Sequence, residues 1–346
     1  MPRQARLDAP GLLQHVMARG IERRKIFTDD KDRASFLERL AVILEETQTQ
    51  CYAWAFIPNH FHLLLRTGPT TLSRVMRRLM TGYAVTFNKR HKRSGHLFQN
   101  RYKSVVCEED PYLLELIRYI HLNPLRARLV EDLKELDKYL WTGHSAILGR
   151  RKNPLIPSIS DVSKKKGIQT KNKSEISLAE RTTQDVLLHF GETLKVARRR
   201  YRQFVMNGID QGKRPELQGG GMVRSAGGEK GGLLGRKKEE CEKGDARILG
   251  SGDFVNETLK QSETLLEKKY LPKRPIEELI EFVAGQLGLK PKLICSGSRQ
   301  KKIAEARALV AYLAVEETGH SAADVARYLG IGRTNVLRSI KRGREI

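Results

Sequence analysis

Apolar positions alternate loosely over residues 11–19 and predict an opening strand. Gly20 to Thr28 reads as a basic loop. From Asp29 or Asp30, either of which suits an N-cap, Phe36, Leu37, Leu40, Ile43 and Leu44 fall on one face of a helix that runs to about Gln50. Two apolar runs then flank Pro58-Asn59, a turn pair that makes them a hairpin. Thr71 caps a helix from Leu72 to about His91, with Leu72, Val75, Met76, Leu79, Tyr83 and Phe87 at helical spacing. A strand follows over Tyr102 to Cys107. Asp110-Pro111 opens a third helix, which must end near Asn123, before Pro124. The order β-α-β-β-α-β-α predicts an α+β domain of ferredoxin-like kind over residues 1–150: a four-stranded antiparallel sheet with helices on one face.

Residues 151–272 read as linker and connector. Lys, Ser, Pro and Asn dominate 150–175, a helical stretch spans about Leu178 to Val205, and residues 207–235 hold ten glycines. That glycine-rich stretch lacks the spacing and hydroxyl of a P-loop, so it reads as a connector. Helical periodicity returns over residues 273–346, where four helices begin near Ile276, Ile303, Ser321 and Arg333. Ala326, Gly330 and Val336 stand where a helix-turn-helix needs a small residue, a turn glycine and an inter-helix apolar contact.

The chain has 346 residues and a formal net charge of +24, a surplus that points to nucleic acid as partner. No run of 18 apolar residues would span a bilayer, and no apolar signal core follows Met1 to Arg6, so a cytoplasmic protein is expected. Cys51, Cys107, Cys241 and Cys295 form no C-x-x-C pair and read as reduced thiols.

Candidate chemistry starts at His60-Phe61-His62, just after the hairpin turn. Side chains alternate across a strand, so the two imidazoles share a face, about 7 Å apart at the backbone, within reach of one divalent ion. A polar strand face that happens to carry two histidines is the plainer alternative. On the third helix Tyr119 and Asn123 lie four residues apart and stack on one face. Taken singly, they read as an amphipathic tyrosine and a helix C-cap. His91, His96 and His121 read as surface or phosphate contacts.

Three ordered stretches carry a closer resemblance: Pro58-Asn59-His60-Phe61-His62-Leu63-Leu64, Gly95 to Ser104, and Arg118-Tyr119-Ile120-His121-Leu122-Asn123-Pro124-Leu125-Arg126-Ala127. Over residues 8–150 the chain resembles the single-tyrosine HUH transposases, within them the REP-associated tyrosine transposases. The resemblance implies that His60 and His62 hold Mg2+ or Mn2+, that Tyr119 is the nucleophile, and that Asn123 supplies a third, oxygen-donating ligand. Many insertion-sequence relatives carry Gln at that last position. It further implies a 5′-phosphotyrosine intermediate on single-stranded hairpin DNA, and a monomer or homodimer. The competing readings are a non-catalytic sequence-specific DNA-binding regulator and an RRM-like RNA binder, though the RNP aromatics of the latter are missing.

Residues 74–103 hold nine Lys or Arg and no carboxylate, which predicts a phosphate track through Arg74, Arg77, Arg78, Lys89, Arg90, Lys92, Arg93, Arg101 and Lys103. Residues 273–344 resemble the DNA-binding domain of the replication initiator DnaA, through Ser298 to Arg307 and on to Val325, Gly330, Val336 and Ser339-Ile340-Lys341. Arg333-Thr334-Asn335 replaces the initiator's Asp-His-Thr. By that resemblance Arg299, Lys301 and Lys302 hold backbone or minor groove of duplex DNA, and Arg333, Thr334, Asn335 and Arg338 face the major groove.

Overall fold

Four strands pair antiparallel in the order β2-β3-β1-β4: β1 (Leu13–Arg19), β2 (Gln50–Ile57), β3 (His60–Arg66) and β4 (Lys103–Cys107). The computed structural model describes residues 6–157, 176–212, 214, 217, 244–270, 274–298 and 300–345, with the backbone alone over 265–270. It divides into two compact units, Met1–Ser262 and Glu263–Ile346.

The expected α+β, ferredoxin-like sheet is present, with one addition. A fifth strand, β5 (Ile248–Leu249), runs parallel to β4 at its outer edge. Two residues are too few to show a period, so the sequence pattern does not reveal it.

Register decides what each face carries. Met17 and Ala55 flank His62, while Arg19 and Ile57 flank His60. Phe61, Leu63 and Leu65, with Val16, Trp54 and Phe56, point to the opposite face, which α1 (Asp30–Thr47) and α2 (Leu72–Arg90) cover. The histidine face also carries Leu13, Ala53, Ala55, Leu64 and Val105, and α3 (Glu109–His121) closes over them with Leu116, Ile117 and Ile120. Helices therefore lie on both faces, a correction to the one-faced expectation. The strands are apolar on both sides, α1 and α2 fill one, and α3 is left to bury the other.

Helix ends show where local signals succeed. Asp29 caps α1, its carboxylate accepting from the Asp32 N–H at 3.0 Å. α1 stops at Thr47, because Gln48 turns left-handed (φ 51°) and Gln50 already belongs to β2. Thr71 makes no side-chain cap on α2. The carboxylate of Asp8, 64 residues upstream of Leu72, accepts from the Leu72 N–H at 2.6 Å and the Ser73 N–H at 3.0 Å instead.

Much of the expected connector folds onto the sheet. α4 (Leu178–Leu188) and α5 (Leu194–Met206) replace one long helix, and Val186, Leu187, Ala197, Tyr201 and Val205 join the core beneath α3. α6 (Gly252–Tyr270) was not expected; Phe254, Val255 and Leu259 pack with Leu7, Val106 and Ile248. Most of the glycine-rich stretch, and Cys241, lie outside the described residues.

In the second unit α7 (Ile276–Leu287), α8 (Lys301–Tyr312), α9 (Ala322–Leu329) and α10 (Arg333–Gly343) share one core. Ser321 caps α9 through the Asp324 N–H at 3.0 Å. Gly330 ends it at φ 63°, and Val336 is fully buried on α10. A Cβ on Gly343 would sit 2.2 Å from the Ala308 carbonyl oxygen, so glycine lets α10 lie directly on α8.

Asp8→Ala is expected to cost about 1 kcal/mol or slightly more in chemical denaturation, because two helix N–H groups lose their acceptor. Thr71→Ala should change stability by less than that.

Candidate active site

His60 and His62 project from β3 to the same side, with ring centroids 5.1 Å apart. The Tyr119 ring on α3 lies 6.1 Å from His62, nearly perpendicular to it. These three side chains, Asn123, Arg101 and Lys103 line one cavity of about 350 Å³, together with Met17, Ala18, Arg19, Gln99 and Asn100. The four site residues expected from sequence thus meet in one place, within one chain. Asn123 opens the helical turn Asn123–Arg126, which continues past Pro124 because proline suits a first turn.

Both imidazoles are suited to bind a cation. Burial pushes His60 down to about 4, helped by the neighbouring Arg19. Burial also holds His62 well below the usual range, with His15, His60 and Arg19 adding to it. Each is therefore neutral at pH 7, with a lone pair to donate. Asn123 is buried, and its amide nitrogen has no hydrogen-bond partner among the described residues. No such bond holds that end of the amide, so its oxygen can face the two rings. Among the described residues no three His, Cys, Asp or Glu side chains converge on one point. A metal here would draw its third protein donor from that amide, and the donor set, two nitrogens with oxygen, fits Mn2+ or Mg2+.

Three neighbours were not anticipated from sequence. His15, fully buried on β1, stacks 5.2 Å from His62 and lies 6.0 Å from Tyr119. Arg126 sits 5.0 Å from the centre of the Tyr119 ring, and its Nη1 donates to the Tyr119 carbonyl at 3.2 Å. Arg19 is the cross-strand partner of His60. A lone histidine in an apolar strand reads as core, and only the β1–β3 register reveals that it meets His62.

Residues 9–123 match the family model described as "Transposase IS200 like", and residues 276–342 match "Bacterial dnaA protein helix-turn-helix". The two matches fall on different compact units, the first within Met1–Ser262 and the second within Glu263–Ile346. Among curated proteins it is similar to the chromosomal replication initiator protein DnaA of Aliarcobacter butzleri, 32% identical over 106 residues, covering 29% of this chain and 24% of that protein. It is 34% identical over 88 residues to the DnaA of Nautilia profundicola, covering 25% and 20% respectively. The chain spans a quarter or less of the length of these curated relatives. Among solved structures it is similar to a REP-associated tyrosine transposase bound to a REP hairpin, at a TM-score of 0.36 and 14% identity, covering 51% of this chain and 100% of that one.

The basic run over residues 74–103 separates into two sets. Arg74, Arg77, Lys89, Lys92, Arg101 and Lys103 are exposed. Arg78 instead pairs with Glu46, and Arg90 pairs with Asp29 and the buried Asp32. Arg93 sits 5.7 Å over the Phe87 ring. A groove of about 760 Å³ between α2 and the loop at residues 95–102 adjoins the first cavity, and both share Gln99, Asn100 and Arg101. In the helix-turn-helix domain Lys301, Lys302, Arg333, Thr334, Asn335 and Arg338 are all exposed, whereas Arg299 lies outside the described residues. No helix among the described residues is long and apolar enough to cross a membrane.

Of the three histidines expected at the surface, only His96 is exposed. The Nε2 of His91 lies 3.0 Å from both oxygens of Asp32. His121 is fully buried at the end of α3, where a polar chain ties α5 to α3. Arg202 Nε and His144 Nε2 donate to Asp137 at 2.7 and 3.0 Å. His144 Nδ1 then accepts the Tyr201 hydroxyl at 3.0 Å, and the Tyr201 oxygen accepts from His121 Nδ1 at 2.7 Å. Burial lowers His121, reinforced by His144, and burial likewise lowers His144. Burial acts to raise Asp137, but hydrogen bonds from His144 and Arg202 hold it below its ordinary value.

Tyr201→Phe keeps the ring and removes the link, leaving His121 Nδ1 without its acceptor and His144 Nδ1 without its donor. It is expected to cost about 1–3 kcal/mol in denaturant unfolding of the first unit. Buried histidines whose folded values lie below the ordinary ~6.5 are protonated first in the unfolded chain. Their contribution to stability is therefore full above about pH 6.5 and declines below it. The unfolding midpoint should accordingly fall as the buffer is taken from about pH 6.5 towards 4.

Proposed function

We propose that this chain is a DNA-cleaving and DNA-joining transposase that uses Tyr119 as nucleophile on single-stranded, hairpin-forming DNA and grips duplex DNA through its C-terminal domain. The observation that carries the reading is the shared cavity of His60, His62, Tyr119 and Asn123 inside an IS200-like transposase domain.

His60, His62 and Asn123 would hold Mg2+ or Mn2+, which when bound would draw charge from the scissile phosphate and stabilise the charge that builds during in-line attack. A phenol with an ordinary pKa of about 10 is a weak nucleophile at neutral pH, so its position matters more than its basicity. The packing of α3 supplies that position: Tyr119 is 4% exposed, and its ring faces the imidazoles. Arg101 and Lys103 lie on the cavity wall, where they would receive the phosphates flanking the scissile bond. The Tyr119 oxygen would bond to phosphorus as its proton passes to solvent, the bond to the 3′ oxygen would break, and that oxygen would take up a proton from solvent and leave as a 3′-hydroxyl. The 5′-phosphotyrosine conserves the phosphodiester energy, so a second 3′-hydroxyl can reverse the step without ATP. All of these side chains belong to one chain, which supports a site completed without a partner.

The second unit supports duplex binding. Arg333, Thr334, Asn335 and Arg338 are exposed on α10, which follows the Gly330 turn, and Lys301 and Lys302 are exposed at the start of α8. Asn335 and Arg338 share a cavity of about 270 Å³ with Arg307 and Arg342.

Two experiments test these roles. Tyr119→Phe should abolish the covalent adduct formed with a labelled single-stranded hairpin and Mn2+, while leaving hairpin affinity within about twofold. Unchanged cleavage by that variant rejects Tyr119 as nucleophile. Binding by the wild type without any adduct would leave a non-catalytic regulator. Deleting residues 273–346 should weaken duplex binding at least tenfold and spare hairpin cleavage; undiminished duplex affinity would count against the helix-turn-helix role.

A further inference from the structure

The hydrogen bonds behind His60 and His62 specify which nitrogen of each ring carries a proton. His15 Nδ1 lies 3.0 Å from the backbone carbonyl of Leu217. A carbonyl only accepts, so that nitrogen bears the hydrogen, and in the neutral ring His15 Nε2 is then bare. His15 Nε2 lies 2.9 Å from His62 Nδ1, which must therefore be the donor. The nitrogen of His62 left with a lone pair is Nε2. His60 reaches the same state by another route. The Asn59 amide nitrogen donates to the Arg23 carbonyl at 3.2 Å, which turns its oxygen toward His60 Nδ1 at 2.6 Å. That ring too keeps its lone pair on Nε2. His15 and Leu217 are 202 residues apart in the chain.

We propose that His15 is a positioning residue that sets the tautomer and orientation of His62, and that the Leu217 carbonyl, delivered by a segment far downstream, sets His15 in turn. The inference rests on the reading that His60 and His62 hold a divalent ion, since its purpose is to present Nε2 of His62 to that ion. It makes the metal site of the transposase domain depend on the seating of Leu217, whose side chain is 1% exposed within the core beneath α3. A ligand histidine whose second nitrogen is held loses no free energy to tautomer exchange when it binds, and second-layer partners of this sort are worth tenfold to a hundredfold in affinity. The alternative is a satisfied core histidine, which would contribute stability and nothing else.

The test uses the full chain without metal, labelled with 15N at histidine, and long-range proton–nitrogen correlation of the imidazoles. His62 should show a protonated Nδ1 and a bare Nε2 in the wild type. His15→Leu removes the acceptor, so His62 should shift toward the Nε2–H form, and Mn2+ affinity, read by paramagnetic resonance of the free ion, should fall about 10–100-fold. His15→Gln returns an acceptor oxygen and should recover both the tautomer and most of the affinity, which a purely structural role would not do. Leu217→Asp, which unseats the carbonyl without touching either ring, should move both readouts in the same direction as His15→Leu. If His15→Leu does not fold, the wild-type tautomer and the His15→Gln and Leu217→Asp variants still decide. An Nε2–H form of His62 in the wild type overturns the relay, as does a His15→Leu protein with unchanged tautomer and affinity. Wild-type protein that shows the Nδ1–H form yet takes up no Mn2+ upholds the relay and overturns the metal-binding reading instead.

Discussion

The antiparallel register of β3 between β1 and β2 is the constraint on which the site depends. With a side-chain period of two, a slip of one residue would turn His60 and His62 into the core under α1 and α2 and bring Phe61 out beneath α3. The register is held because both faces of β3 are buried. Phe61, Leu63 and Leu65 pack on one side and His62 and Leu64 on the other, so any slip misplaces apolar area on both sides at once. The same register places His15 beside His62, so the cluster behind the cavity and the cavity itself come from one set of strand pairings.

A sheet buried on both faces needs more cover than one pair of helices supplies. α1 and α2 close one side; α3 closes the other only in part, and α4, α5 and Leu217 complete it. The extra cover brings polar groups with it, and a buried polar group needs a partner. Tyr201 meets His121 and His144, and the Leu217 carbonyl meets His15. Segments that arrive late in the chain therefore do more than shield apolar area: they give a hydrogen-bond partner to the Nδ1 of His121 on α3 and of His15 on β1. The first compact unit extends to Ser262, well past the last strand of the four-stranded core, because β5 pairs with β4 and α6 packs on Leu7, Val106 and Ile248.

The basic surface obeys a comparable division. A long run without carboxylates looks uniform in sequence, yet Arg78 and Arg90 reach acidic partners on α1 and at its start, and Arg90 pairs with the buried Asp32, which the His91 ring also contacts. Exposed surface ion pairs contribute little, but a carboxylate that is 2% exposed must be paired. These two arginines are thereby committed to the fold, while Arg101 and Lys103 face the cavity. In the second unit the polar positions of α10 that face solvent are separated by the buried Val336, the spacing expected when one stripe of a helix enters a core and the opposite stripe stays free.

Local pattern alone determined the alternation and periodicity that set the four main strands, the long helices and the helix-turn-helix, because these follow from which side chains must leave water. It also determined that His60 and His62 share a strand face, since that is a property of a single element, and it set Tyr119 and Asn123 four residues apart, although Asn123 opens the helical turn after α3. Which face α3 would cover, that Asp8 rather than Thr71 would cap α2, that His121 would be buried against Tyr201, and that His15 would stand behind His62 were settled only by tertiary structure. Each of these joins groups far apart in the chain, and a contact between distant segments is set by strand register and by competition for buried area. Neither of these leaves a mark in the spacing of neighbouring residues.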